Sequence, residues 1–281
     1  MHEGMSHRIE MVLRLMAVLT LGALGLSACG GREEGKRSPS PAAAGEVRQY
    51  CTSVLAVETI PEPAIDLDAL PPDQQVEEAK KFARESIRPL ADDIVASAPE
   101  QVREEVAVLN NAVREMENTG NFDVFEGPEV VEASKVAHEF DLENCGWERV
   151  DVTATNYAFG GVPNQLRAGA TSFELANNGS EHHEMVIFRK NDDTRETFDQ
   201  LLALPEEEAE KKVTFVAATD AMPREDGVYT IANLRAGQYA MVCFIPVGST
   251  PEAEKAAEES KQEIQGPPHF TRGMKSEFTV R

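Results

Sequence analysis

The stretch Ala236-Gly-Gln-Tyr-Ala-Met-Val-Cys-Phe-Ile-Pro246 has a glycine near one end, a proline at the other, and an almost wholly apolar or aromatic interior. A run of that length and composition reads as one buried strand, and Pro246 takes the chain out of the ladder because it has no N–H to give. Cys243 stands near the end of this strand. It has two readings, an ordinary buried thiol or a ligand presented at the rim of a sheet.

The same grammar repeats on both sides. "VDVTATNYAF" (150–159), "TSFELANN" (171–178), "EMVIFR" (184–189), "KVTFVAA" (212–218), "VYTIANL" (228–234) and "EFTV" (277–280) are short and rich in β-branched and aromatic residues. Gly, Pro, Asn or Asp separates them. That spacing predicts an all-β sandwich or barrel over residues 148–281. Only "LPEEEAEKK" and the segment after Pro246 look helical or loop-like.

Two further stretches carry chemistry. "NNGSEHHEMVIF" sets His182-His183 at the head of a strand, after an Asn178-Gly179 turn. "PPHFTRGM" (267–274) puts His269 and Met274 five positions apart in a Gly/Pro-rich loop before the last strand. Taken singly, each is loop filler or a polar strand entry. Taken together with Gly237-x-Tyr239-x-x-x-Cys243, they resemble the copper-site pattern of the cupredoxins, the plastocyanin-like blue copper proteins. The resemblance spans about residues 149–281. It implies a Greek-key sandwich holding one type 1 copper, with His183, Cys243, His269 and Met274 as its ligands. Two imidazoles and a thiolate with a weak thioether satisfy both Cu(I) and Cu(II), and this is why those residue types suit electron transfer. Adjacent strand residues point to opposite faces, so only one of His182 and His183 reaches the site. The family's strand aligns without a gap on His183, which leaves His182 facing solvent.

Two departures stand out. The family's asparagine after the first histidine is Glu184 here, a carboxylate that accepts but does not donate, so the tuning around the ligands must differ. Twenty-five residues separate Cys243 from His269, where the family has a few. The insertion, 247–266, includes a charged run of five glutamates against two lysines that reads as a short helix. It is either an excursion from the loop or a docking element beside the metal. Loop closure costs only about 1–2 kcal/mol more for it than for a short loop.

Residues 46–147 follow a helical period instead. Val102, Val106, Leu109, Val113 and Met116 share one face. Ser97-Ala-Pro-Glu100 reads as the capping box that opens that helix. An earlier helix spans roughly 73–96, with Pro89 as a kink. A first helix lies near 47–57, and a last one runs from about 128 to 143, with Gly146 suited to end it. A bridge between Cys51 in the first helix and Cys145 just past the last would staple a small bundle; the alternative leaves both thiols free. His138, alone in this region, reads as a surface or core-edge residue. The whole is an interaction module at most.

The N-terminal residues 1–28 read as a secretory signal, with an apolar run from Leu15 to Leu26. Leu26-Ser-Ala-Cys29 resembles the bacterial lipoprotein box, which implies a lipid anchor at Cys29. Residues 29–45 then form a flexible tether. These features predict a protein anchored on the extracytoplasmic face of the cell membrane, in the periplasm or at the cell surface. The net charge of −22 argues against nucleic acid and against docking on anionic lipid headgroups, and it suits a basic protein redox partner. Three functions follow from these readings: a single-electron carrier with Cys243 and the exposed edge of His269 as its exit route, a copper-delivery lipoprotein, or a metal-free module. An enzyme is not expected, since four protein ligands leave no open metal position and no hydrolase or phosphate-loop motif occurs.

Overall fold

The structure is a computed structural model that describes residues 41–61 and 70–281; the signal segment and Cys29 lie outside the described residues. It consists of helices followed by a two-sheet β-sandwich, the mixed α and β architecture expected from the sequence. Among the described residues, no helix is long and apolar enough to cross a membrane.

The helices are α1 (Pro41–Glu58), α2 (Pro72–Phe82), α3 (Arg88–Ser97), α4 (Arg103–Thr119) and α5 (Pro128–Asn144). Helix α1 begins inside the stretch read as tether. Helices α2 and α3 form one run interrupted by a π-helical segment, Ala83–Ile87, which ends two residues before Pro89. Such a bulge absorbs the hydrogen bond that proline cannot make. The Ser97 capping box does not form. Ser97 is the last residue of α3 and its hydroxyl donates back to the Asp93 carbonyl, while α4 is entered through a 3₁₀ turn at Glu100–Val102. Gly120 ends α4 in the left-handed region at φ 71°, where a side chain would strike the Val76 carbonyl. Cys51 and Cys145 are joined in a disulfide whose Cα atoms are 5.4 Å apart. It locks α1 to the end of α5 across 94 residues, and the chain-entropy model values that constraint at roughly 4–5 kcal/mol.

The strands are β1 (Glu148–Thr155), β2 (Ala158–Gly160), β3 (Gln165–Leu166), β4 (Gly169–Asn177), β5 (His183–Lys190), β6 (Val213–Ala221), β7 (Val228–Leu234), β8 (Gly237–Val242) and β9 (Lys275–Val280). One sheet has the order β2-β1-β4-β7 and the other β3-β9-β8-β5-β6. Between them lies a core that includes Val152, Phe173, Leu175, Met185, Ile187, Met241 and Phe278. Helices α6 (Phe198–Leu202) and α7 (Glu206–Glu210) connect β5 to β6. Helix α8 (Pro251–Ser260) occupies the insertion, with Thr250 as its N-cap. β3 and α6 were not read from the sequence; each is too short to leave a periodic signal.

The first sheet is covered on its outer face by the helices. His138 of α5 stacks on Tyr229 of β7, with ring centroids 3.4 Å apart and planes within 4°. Its Nε2 lies 2.8 Å from Glu174 Oε1, and Ser134 Oγ lies 2.9 Å from the Tyr229 hydroxyl. His138 is therefore buried at the junction of helices and sheet, not at a surface.

Candidate metal centre

Cys243 follows directly on β8, where the chain leaves the sheet. Its N–H donates to the Met274 carbonyl and its own carbonyl accepts from Phe270 N–H. The His269 N–H donates to Ile245 O, and Met274 N–H to His269 O. Cys243, His269 and Met274 are thus woven together by their backbones before any side chain is considered. His269 opens a 3₁₀ turn, His269–Arg272, whose end at Gly273 has φ 110°.

His183 is the first residue of β5, paired with Ala221 on β6. Asn177 locks the turn before it. The Asn177 amide donates to Glu181 O and Ala221 O, and its Oδ1 accepts from Gly179 N–H. A side chain at Gly179 would begin 2.7 Å from His183 Nε2, so the close approach requires glycine.

His183, Cys243 and His269 meet in the interior, with one ligand atom from each within 4.8 Å of the other two. The two Nδ1 atoms are 3.1 Å apart, and Cys243 Sγ is 3.3 Å from His269 Nδ1. All three residues, and Met274, are 0% exposed. Burial pushes the Cys243 thiol well above its ordinary value, and the Glu184 charge adds to this. Burial also holds His183 down at about 4, with the neighbouring His269 lowering it further; His269 is lowered by burial as well. The three groups are kept from ionising on their own.

His269 Nε2–H donates to Glu181 Oε2 at 3.0 Å, which leaves Nδ1 as a lone pair facing both His183 Nδ1 and Cys243 Sγ. One soft cation at that point would replace two competing contacts on a single lone pair with three bonds. The donor set fits a metal. Met274 joins it through the backbone bonds given above.

Two expectations are corrected here. His182 does not face solvent: its side chain is 17% exposed and held between Asp220 at 2.7 Å and Glu254 of α8 at 2.8 Å. Burial disfavours its charge, but the two carboxylates outweigh burial and raise it to about 10. The edge of His269 is not exposed either, because Glu181 caps Nε2 and Tyr157 packs edge-on against the ring at 5.1 Å. Glu184, expected to tune the site differently because a carboxylate only accepts, does tie the loops as an acceptor: Oε1 receives Phe244 N–H at 2.6 Å, and its own N–H points at Cys243 Sγ at 3.4 Å. Glu181 was missed by sequence reasoning. Burial pushes its carboxyl up, but hydrogen bonds from Gly248 N–H, Tyr157 OH and His269 outweigh that and hold it below the usual range.

The insertion leaves and returns through a narrow neck. Pro246 and Pro268 form an isolated antiparallel bridge, and Val247 N–H donates to Pro267 O. A Cβ at Gly266 would sit 2.3 Å from Val247 O, so only glycine lets the two strands of the neck touch.

Fold and site together describe a β-sandwich with a buried His-Cys-His cluster at the point where β8 leaves its sheet. Solved structures to which the chain is similar are blue copper proteins. They include auracyanin A, titled a "blue" copper protein, from Chloroflexus aurantiacus (16% identity, 48% of this chain and 100% of that one, TM-score 0.29). Auracyanin from Roseiflexus castenholzii matches at 18% identity over 47% of this chain and 96% of that one, TM-score 0.28. Rusticyanin from Thiobacillus ferrooxidans matches at 18% identity over 48% and 79%, TM-score 0.28. Likeness at that level leaves the functional argument to this chain's own side chains. No protein-family model matches the chain, and no curated protein does.

Proposed function

We propose that the β-sandwich holds one type 1 copper ion between His183, Cys243 and His269, with Met274 as the axial thioether, and carries single electrons. The observation that carries this reading is the convergence of three wholly buried ligand atoms within 4.8 Å, on a framework tied by backbone hydrogen bonds. A His₂Cys set with a weak axial methionine is the donor combination of blue copper electron-transfer sites; bound copper supplies the one-electron chemistry. The protein's part is to hold two imidazoles and a thiolate still and dry. Glu184 and Asn177 fix the approach of β5, and the 3₁₀ turn fixes His269.

Electrons leave through the thin cover over His269, made of Glu181 and half-buried Tyr157. That cover carries a carboxylate and the chain carries −22, so a basic protein partner fits it. Burial of every ligand speaks against copper delivery, which needs an accessible ion. Nothing in the constellation offers a substrate position, so the protein is no enzyme in this reading. The Leu26-Ser-Ala-Cys29 box and the stretch after it support lipid anchoring at Cys29 on the extracytoplasmic face of the cell membrane.

Adding Cu(II) to the chain from Glu46 to Arg281 should give an intense visible charge-transfer band that Cys243→Ala abolishes. His183→Ala and His269→Ala should each bleach it. A colourless protein that takes up no stoichiometric copper would overturn the proposal. Retention in membranes after Cys29→Ala would overturn the anchor.

A further inference from the structure

A cavity of about 200 Å³ lies between the helices and the outer face of the first sheet, and none of the metal-centre ligands lines it. Its walls come from α1, α3, α4, α5 and β7, with Val54, Ile94, Val113, Met116 and Ile231 giving most of it an aliphatic surface. A purely apolar void would be a packing defect. This one is not purely apolar.

Glu58, Asp141, Tyr50, Tyr229, Ser134 and His138 also line it. Most of these polar groups already have partners. Tyr50 bonds Asp141, Ser134 bonds Tyr229, and His138 Nε2 faces Glu174. Two valences remain. His138 is 5% exposed, and its Nδ1 is buried with no hydrogen-bond partner. With Nε2–H committed to a carboxylate, Nδ1 of the neutral ring is an acceptor. Glu58, among the described residues, has no hydrogen-bond or ion-pair partner, and a carboxylate is also an acceptor. Burial pushes Glu58 up to about 7 and Asp141 up to about 8, where the charge of Glu58 adds to the effect. No lysine or arginine lines the cavity; Arg88, bonded to the lining residue Asn110 through Nη1 and to Glu117 and Asp92, stands behind the wall with its Nη2 buried and unpaired. The cavity therefore presents acceptors and acidic groups with no cation to match them.

We propose that this cavity binds a small apolar amine, its body against the aliphatic wall and its ammonium donating to Glu58 and to His138 Nδ1. The size suits this class: an engineered cavity of roughly 150 Å³ takes benzene, and the present one leaves room for a short aminoalkyl arm. An ammonium supplies the missing donors and the missing positive charge at once. The net charge of −22 draws cations toward the protein.

The test uses the full chain and three probes of nearly equal size in titration calorimetry: 2-phenylethylamine, 2-phenylethanol and phenylacetate. The amine should bind saturably and at least about tenfold tighter than the alcohol, and the acid should not bind. Glu58→Gln should erase the amine's advantage and leave the alcohol within about twofold. Val113→Phe, which fills the cavity, should abolish binding of both. A thermal melt reports whether each variant folds; should one fail, the other decides. An amine that binds no tighter than the alcohol, a preference for the acid, amine binding that survives Val113→Phe, or no binding at all would overturn the proposal.

Discussion

Replacing Glu181 with glutamine should raise the reduction potential of the copper-loaded protein without changing its colour. The substitution keeps the shape and most of the hydrogen bonds. A glutamine carbonyl can still accept from Gly248 N–H and His269 Nε2–H, while its amide donates to the Tyr157 hydroxyl that now donates to the carboxylate. What disappears is the negative charge behind His269. A hydrogen bond to a charged partner is worth about 1.5–3 kcal/mol. That bond is stronger when the ring is attached to the more electron-withdrawing oxidised ion, so the carboxylate favours Cu(II). If about half of the bond energy is differential, the loss is on the order of 1 kcal/mol, or roughly 40 mV upward for one electron. Cyclic voltammetry on wild type, Glu181→Gln and Glu254→Gln would measure it. The last is a control that removes a carboxylate from α8 instead of one on His269. A potential that stays put in Glu181→Gln, or falls, would refute the reasoning, as would an equal shift in the control.

Met274→Leu should keep the visible band and also raise the potential, since a weak donor that stabilises Cu(II) is lost; voltammetry with an absorption spectrum checks both. Removing the disulfide by Cys51→Ala with Cys145→Ala should lower stability by up to about 4–5 kcal/mol in chemical denaturation and leave the copper band intact. Asp141→Asn should change how stability depends on pH. The folded pKa is about 8 against an ordinary 3.8, so the folded state binds more protons in between, and wild-type stability is lost relative to the variant as pH rises through that window. Thermal melts at several pH values should show the two proteins diverging upward from about pH 4, and parallel curves would contradict the assignment. His182→Ala should leave the colour but free α8, seen as faster amide exchange over Pro251–Ser260.

The strands were legible because most of them are bounded by turn residues and carry β-branched or aromatic side chains. Cys243 and His269 were legible because their spacing from Tyr239 and Met274 is local. The acidic partner of His269 was not, since Glu181 stands beside two histidines and looks like part of a polar turn. Nothing in its neighbourhood indicates that the chain doubles back to set it against a residue 88 positions away. The burial of the first sheet's outer face left a weaker trace. "VYTIANL" is apolar at Tyr229 and Ile231 as well as on the core face, the signature of a strand covered on both sides. Helix ends were the least readable feature. The Ser97 motif satisfied the capping pattern, yet its hydroxyl was drawn to a carbonyl one turn back, a local bond that serine can always make.

The neck at Pro246 and Pro268 has a consequence for how such a chain can change. Because that clamp is closed by backbone contacts and by the absence of a side chain at Gly266, and Gly248 and Ser249 just beyond it complete the ties to Glu181 and His182, the ligand geometry is set before the helix of the insertion begins. The separable cassette is residues 250–265, which can be lengthened, shortened or recharged and which touches the sandwich through Glu254 and His182. Selection, or an engineer, can therefore alter what docks beside the metal centre without retuning the centre itself.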